Sequence, residues 1–288
     1  MKIRFLGSGA AEGIPAIFCE CRLCRQAREQ KRYFTRSQIL IDGDLLIDFP
    51  PDSYYRALTA GVDLAEIKDI LVTHSHSDHF YAEDFFMRGL MSSYCIPVPT
   101  VNVYASKAVT DLLDKFSSGY PKGTYKPEPI GTFNGYDAYA QSTEYVNVRP
   151  FEKFGAGEYT VTALPSAHVP AEPSLIYAVE KGGKRLLYAT DTGYPAAEVF
   201  DFLEREGGVF DAVVYDGTYG FLDFNEGHMN FRDCERMKSE LAARGLTSDR
   251  TKHYITHISH NVAKDLDALD KNFPRGFIMA YDGLEAEV

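Results

Sequence analysis

Short apolar runs separated by polar punctuation set the rhythm of this chain. Segments rich in Val, Ile, Leu and Tyr at 3–6, 38–41, 45–48, 70–73, 101–104, 159–164, 175–180, 185–189, 212–215, 254–256 and 276–280 predict strands. Asp42-Gly43-Asp44 and Lys181-Gly182-Gly183-Lys184 each join two such runs and read as hairpin turns. Helical spacing or composition predicts helices over 21–32, 53–60, 80–92, 106–116, 195–206, 230–244 and 261–270. Strands and helices mix in both halves. That order predicts an α/β chain of packed sheet and helix layers, not a purely parallel doubly wound sheet.

Residues 117–157 break the rhythm. Ser117-Ser118-Gly119, Pro121, Pro127, Pro129, Gly131 and Gly135 are loop composition. Tyr120, Tyr125, Phe133, Tyr136, Tyr139, Tyr145, Phe151 and Phe154 are too many aromatics for a disordered linker. A loop of this length is expected to act as a lid or pocket wall, with a subunit contact as the alternative. No internal repeat divides the chain, so 1–288 is expected to form one domain with 117–157 as an insertion.

At 288 residues, 45% of them hydrophobic, the chain can bury a sizeable core. Its net charge of −11 counts against a nucleic-acid partner, which usually meets a basic stripe. No stretch has the pattern of a signal peptide or membrane span, so a cytoplasmic location without membrane contact is expected. Three of the five cysteines, Cys19, Cys21 and Cys24, fall within six residues. That density suggests metal ligation and not a disulfide framework.

Thr73-His74-Ser75-His76-Ser77-Asp78-His79 follows the apolar run 70–72. On extended backbone, residues i and i+2 point the same way, so His74 and His76 converge. Asp78 and His79, at the turn into the next helix, can face a second point close by. Two imidazoles suit Zn²⁺, and a carboxylate beside an imidazole suits a second divalent ion. His168, Asp191 and His257 each end a predicted strand, as a site built along one sheet edge requires. For the cysteines, a closed zinc site wants a fourth ligand. His228, otherwise unassigned, is the candidate.

The order His-x-His-x-Asp-His, then His168, Asp191 and His257, resembles the metallo-β-lactamase superfamily over nearly the whole chain. The resemblance implies a four-layered αβ/βα sandwich. It also implies two divalent cations, Zn or Mn. His74, His76 and His168 would hold one, Asp78, His79 and His257 the other, and Asp191 would bridge them. Asp48, which also ends a predicted strand, resembles the superfamily's buried Asp that orients a ligating His; its other reading is an ordinary strand-end residue. Gly7-Ser8-Gly9-Ala10, the Cys-x-Cys-x-x-Cys cluster, Thr256-His257-Ile258-Ser259-His260 and Ala280-Tyr281-Asp282-Gly283-Leu284-Glu285 narrow it. Together they resemble the phosphoribosyl 1,2-cyclic phosphate phosphodiesterases, in which three Cys and a downstream His bind one structural zinc. His228 is the matching position by that reading. The chain departs from that group after Tyr215-Asp216-Gly217-Thr218, where Tyr219 stands in place of a His. Gly7, Gly9 and Gly13 are read as backbone turns, because no P-loop lysine follows them.

The implied function is hydrolysis of a small or cyclic phosphodiester, with two cations bringing a bridging water's pKa to about 7 and stabilising phosphoryl charge. The leaving alkoxide needs a proton, and His260, Tyr219 and Asp78 are the candidate donors. His253 is expected to face solvent or pack under a sheet. Rival readings are an RNA-processing nuclease, a thioester or lactone hydrolase, and a non-catalytic accessory protein resembling that of pyrroloquinoline quinone biosynthesis. A homodimer stays open.

Overall fold

The structure, a computed structural model, describes residues 1–85, 100–118 and 143–288. Two seven-stranded mixed sheets face each other. The first has the order β14-β1-β2-β3-β4-β5-β6, from Lys2–Gly7 (β1), Gln38–Ile41 (β2), Leu45–Ile47 (β3), Asp69–Leu71 (β4), Val101–Ala105 (β5), Thr143–Asn147 (β6) and Glu285–Glu287 (β14). The second has the order β13-β12-β11-β10-β9-β8-β7. Its strands are Lys153–Ala156 (β7), Tyr159–Pro165 (β8), Leu175–Lys181 (β9), Lys184–Ala189 (β10), Ala212–Asp216 (β11), Lys252–Thr256 (β12) and Ile278–Met279 (β13).

Period-two alternation decides the layering. Ile3, Phe5, Ile39, Ile41, Ile47 and Leu71 of the first sheet pack against Val161, Tyr177, Val179, Leu186, Tyr188 and Val214 of the second. Their neighbours point outward. Leu6, Leu40, Leu46 and Ile70 join a cluster that includes Val109 and Leu113 of helix α3 (Lys107–Ser118). Ile176, Ala178, Leu187, Val213 and Ile255 join another. That cluster includes residues of α1 (Arg22–Gln30), α4 (Ala197–Glu206), α5 (Phe231–Ala243) and α6 (Leu266–Asn272). Helix, sheet, sheet, helix is the four-layered αβ/βα sandwich. Helix α2 (Ser53–Ala60) packs against β1.

Both expected hairpins form, β2 with β3 and β9 with β10. Gly182 and Gly183 have φ of 58° and 75°, the left-handed pair that a tight hairpin turn demands. Gly7 and Gly9 are fixed by close approach: a Cβ would lie 1.9 Å from Arg36 O and 2.5 Å from Phe34 O respectively. They are structural contacts of backbone on backbone.

Three strands were not expected. β6 and β7 fall inside the 117–157 segment read as loop, and β14 lies past the last predicted strand. β6 and β7 are the outermost strands of their sheets and β14 the opposite edge of the first. An edge strand needs only a half-buried, partly polar sequence, so the apolar-run signal is weak there. Residues 117–118 end α3, and residues 119–142 of the lid expected at 117–157 lie outside the described residues, as does most of the helix expected at 80–92.

His253 packs beneath the second sheet, its Nδ1 2.9 Å from Tyr215 OH and its ring against Phe277. Burial, with the Lys238 charge, pushes its pKa down to about 4. An unfolded imidazole titrates near 6.5. The depressed folded value means its contribution is complete above pH 6.5 and lost as pH falls from 6.5 towards 4. His253→Gln is therefore expected to lose less melting temperature than the parent across that window. Parallel melting curves in the two proteins would assign the acid sensitivity elsewhere.

Candidate metal centre

The C-terminal ends of β3, β4, β8, β10, β11 and β12 lie along one edge of the sandwich, and each is followed by a polar residue of the site. Three of these residues, Asp48, Asp191 and His257, have φ of 68°, 52° and 59°. Left-handed backbone costs a non-glycine residue roughly 1–2 kcal/mol. All three are buried, so the fold imposes the turn that swings each side chain off its strand into the cluster.

The geometry centres on Asp191. Its Oδ2 lies 3.1 Å from His74 Nε2, 2.9 Å from His79 Nε2 and 3.5 Å from His168 Nε2, and its Oδ1 lies 3.0 Å from His228 Nδ1. Donor atoms of His74, His76, His168 and Asp191 all fall within 4.8 Å of one another, as do those of Asp78, His79, Asp191 and His257. These are the two expected sets. His76 is exposed and Asp78 and His168 are partly so, which puts the mouth of the site on their side.

Four imidazoles are held by Nδ1. His79 Nδ1 lies 2.7 Å from Asp48 Oδ2, and His168 Nδ1 2.9 Å from Gly227 O. His257 Nδ1 is 2.6 Å from Thr218 Oγ1, and His74 Nδ1 is 3.0 Å from Thr73 Oγ1. Thr73 in turn donates its backbone N–H to Asp48. Engaging Nδ1 turns each Nε2 lone pair towards the centre. Asp48 thus takes the orienting role of its two readings, supporting His79 from behind.

That convergence is what a cation needs. His79 Nε2 and His257 Nε2 face each other at 3.2 Å, and His76 Nδ1 and His168 Nε2 at 3.4 Å. Two nitrogens bound to one tetrahedral Zn²⁺ stand about 3.3 Å apart. Buried His74 Nε2 and Asp191 Oδ1 have ion-pair contacts at 3.1 and 3.0 Å, to Asp191 Oδ2 and His228 Nδ1, but neither atom has an aligned hydrogen bond. A buried polar atom left without a partner is costly unless something binds it. The protein's own charges act in the same sense. Burial opposes ionisation of Asp191, but His257 and His79 overcome it and hold the carboxylate far below its usual range. Burial keeps His74, His168 and His257 below the ordinary imidazole value. His79 is raised, because Asp191 and Asp48 outweigh its burial.

A second cluster lies on the loop after β1. The Sγ atoms of Cys19, Cys21 and Cys24 are 3.3, 3.7 and 3.6 Å from His260 Nδ1. The S···N edge of a tetrahedral zinc site is about 3.5 Å. Burial raises the Cys24 thiol to about 12, while the Cys21 amide lowers Cys19. This overturns two expectations. His228 does not complete the cysteine set, and His260 is not free to serve as a proton donor. Beyond His257, Ile258 pairs with the β1 loop, its N–H on Ser8 O at 3.0 Å and its O accepting from Ala10 N at 3.1 Å. That pairing delivers His260 to the cysteines, where Glu12 Oε1 accepts from Ser259 Oγ and from the His260 amide.

His228 lies in the active cluster. Its Nδ1 is 3.0 Å from both Asp191 Oδ1 and Asp216 Oδ2. Burial lowers its pKa, but Asp216 and Asp191 outweigh it and raise the ring to about 10. Its loop is drawn back over the end of β11 by Tyr219 N–H on Met229 O at 3.1 Å. His228, from the next loop, thus sits beside Tyr219, the position where the resemblance implied a histidine. Tyr219 sits edge-on to His228 at 5.3 Å, but its hydroxyl donates to Glu226 O. Asp78 Oδ2 is 3.3 Å from His79 Nε2. Asp216 was missed altogether. It accepts the amides of Thr192 and Thr218 and orients His228, a role that a strand-end Asp does not advertise.

Seven His and Asp donors meeting at the strand ends of a two-sheet core define a candidate metal-binding site. The chain belongs to the beta-lactamase superfamily: the family described as "Beta-lactamase superfamily domain" matches residues 44–258. The chain is 27% identical to an octanoyltransferase of Porphyromonas gingivalis, covering 99% of this chain and 51% of that protein, so it spans about half that relative's length. It is 25% identical to a ribonuclease Z of Pyrobaculum calidifontis, covering 90% of this chain and 87% of the relative. Zn²⁺-bound PqqB from Methylobacterium extorquens has a TM-score of 0.71 at 20% identity, with both chains fully covered. A diphosphatase of the PhnP family has 0.70 at 22%, covering 100% of this chain and 97% of the other. These two likenesses establish the fold. Among the described residues no helix is long and apolar enough to cross a membrane.

Proposed function

We propose that this hydrolase cleaves a small phosphodiester, with His74, His76 and His168 holding one divalent cation, Asp78, His79 and His257 a second, and Asp191 shared between them. The observation that carries the reading is Asp191, whose two oxygens face both histidine sets and the His228–Asp216 pair at once. Bound cations would supply a water acidic enough to attack at neutral pH and would stabilise charge on the phosphoryl oxygens. Zn and Mn both suit this donor set. Asp48, Thr73, Thr218 and Gly227 orient the imidazoles. Nδ1 of His228 is committed to the two carboxylates. We assign its Nε2 as the atom that gives a proton to the leaving oxygen, with Asp216 steadying the ring. Ribonuclease Z and the PhnP-family diphosphatase support phosphate-centred chemistry, and a net charge of −11 favours a small substrate over a nucleic acid. The octanoyltransferase relative keeps acyl transfer as the rival, on half of that protein's length.

A substrate panel decides. With Mn²⁺ or Zn²⁺ present, bis(p-nitrophenyl) phosphate and cyclic phosphates are expected to turn over, and thioesters and lactones to turn over poorly. Preferential cleavage of a thioester would assign the chain to acyl chemistry. The proton-donor role predicts a leaving-group effect. His228→Ala should slow an alkyl diester about 10²–10⁴-fold, the range for losing a general acid, and slow the p-nitrophenyl ester far less, since nitrophenolate leaves without a proton. Equal losses on both would remove His228 from that role.

A further inference from the structure

Away from the histidines, a surface pocket of about 410 Å³ is lined by Lys31, Arg32, Tyr33, Arg56, Tyr281 and Asp282. Its cations differ in how they are engaged. Arg32 forms a two-pronged pair with Asp270 at 2.7 and 2.8 Å. Arg56 donates from Nε to Leu6 O at 2.6 Å and pairs through the same Nε with Asp282 Oδ2 at 3.8 Å, while neither of its Nη atoms makes a hydrogen bond to a described residue. Lys31 Nζ, Tyr33 OH and Tyr281 OH have no hydrogen-bond partner among the described residues, although both tyrosines are about half exposed. The one carboxylate of the lining is already engaged. Asp282 Oδ1 accepts from Ser8 Oγ at 2.8 Å, and Oδ2 accepts from the Thr35 amide and hydroxyl at 2.9 and 2.7 Å. The pocket is therefore rich in open donors and poor in open acceptors, on a chain whose net charge is −11.

We propose that this pocket binds a phosphomonoester carried on an aromatic or heteroaromatic ring, at a site separate from the histidine cluster. A guanidinium edge and a separate ammonium together match a dianion with three terminal oxygens, whereas a carboxylate would satisfy the arginine alone. Two half-exposed tyrosines beside the anion site offer ring faces and hydroxyls to a flat group. The pocket shares no residue with the metal centre.

Calorimetric titration with AMP as the probe tests this. The His76→Ala protein, with Asp191→Asn as a second background and the cysteine site left intact in both, weakens the metal centre and so keeps anion binding at the histidines out of the signal. One saturable AMP site per chain is expected in each. Lys31→Glu, an exposed position, should weaken AMP about tenfold or more. It should leave the melting temperature and the hydrolysis of bis(p-nitrophenyl) phosphate by the otherwise intact protein unchanged. Tyr281→Ala should weaken AMP but not inorganic phosphate. Absence of saturable AMP binding, or unchanged affinity in Lys31→Glu, would overturn the site. Phosphate binding as tightly as AMP, or a Tyr281→Ala protein with full AMP affinity, would overturn the ring-bearing ligand.

Discussion

Exchanging Asp191 for Asn is expected to release both active-site cations and lower hydrolysis by at least about 10²–10³-fold, while one equivalent of zinc stays on the chain. Among the described residues Asp191 alone lies within reach of His74, His79, His168 and His228 together. On the proposed reading, removing its charge would take away the anion shared by two cations and leave two sets of three donors with an excess of positive charge between them. Asn is the informative replacement because it tolerates the φ of 52° that this position adopts, so backbone strain is not what changes. The side chain keeps nearly the same volume in a fully enclosed site. Metal analysis of protein purified without chelator reads the outcome directly: about three equivalents in the parent and about one in the variant. Full metal content in Asp191→Asn would show that this carboxylate does not bridge, and the dinuclear reading would fall. Restored activity at high Mn²⁺ with low content in the isolated protein would still fit, since it reports weakened affinity.

How much of this was legible beforehand follows from what each residue does. His74, His76, Asp78 and His79 sit in six residues at a strand-to-helix turn, where local geometry alone makes them converge. His168, Asp191 and His257 each end a strand that buries a period-two apolar face, and such strands are the segments a hydrophobic pattern identifies best. β6, β7 and β14 went unseen because an edge strand buries one side only, and Thr143–Asn147 or Glu285–Glu287 carries too few apolar positions. The fourth partner of the cysteines needed tertiary information. His228 and His260 are both lone histidines on loops after strands. What separates them is that Ile258 pairs with Ser8 and Ala10, while Tyr219 pairs with Met229. Those are backbone bridges between segments far apart or folded back, and no local pattern encodes them. Asp216 was illegible for a related reason: its work is to hold other residues, and nothing in Val-Tyr-Asp-Gly distinguishes that from an ordinary strand end.

The two histidines therefore give the sharpest contrast. His260→Ala should lose the cysteine-bound zinc and keep the two active-site cations, and His228→Ala should keep all three. A closed Cys₃His site contributes folding free energy when metal binds, and its apparent binding energy in small peptides is about 10–16 kcal/mol. In a domain with a large core of its own only part of that is at stake. Loss of a few kcal/mol in a chain of this size lowers the melting temperature by on the order of 10 °C. A zinc held by Cys19, Cys21, Cys24 and His260 would join the β1 loop and α1 to the turn after β12, so its loss would also slacken the backbone that carries His257 at φ 59°. A modest fall in hydrolysis should accompany the drop in stability. His228→Ala acts in the opposite manner: melting temperature changes little, zinc on the cysteines is intact, and turnover of poor leaving groups collapses. Zinc content and melting curves of the two variants, measured side by side, settle the assignment. If His228→Ala lost the zinc and His260→Ala kept it, the contacts of 3.3, 3.7 and 3.6 Å between His260 and the three thiols would not describe the metal site, and the proton donor would have to be sought again on the β12 turn.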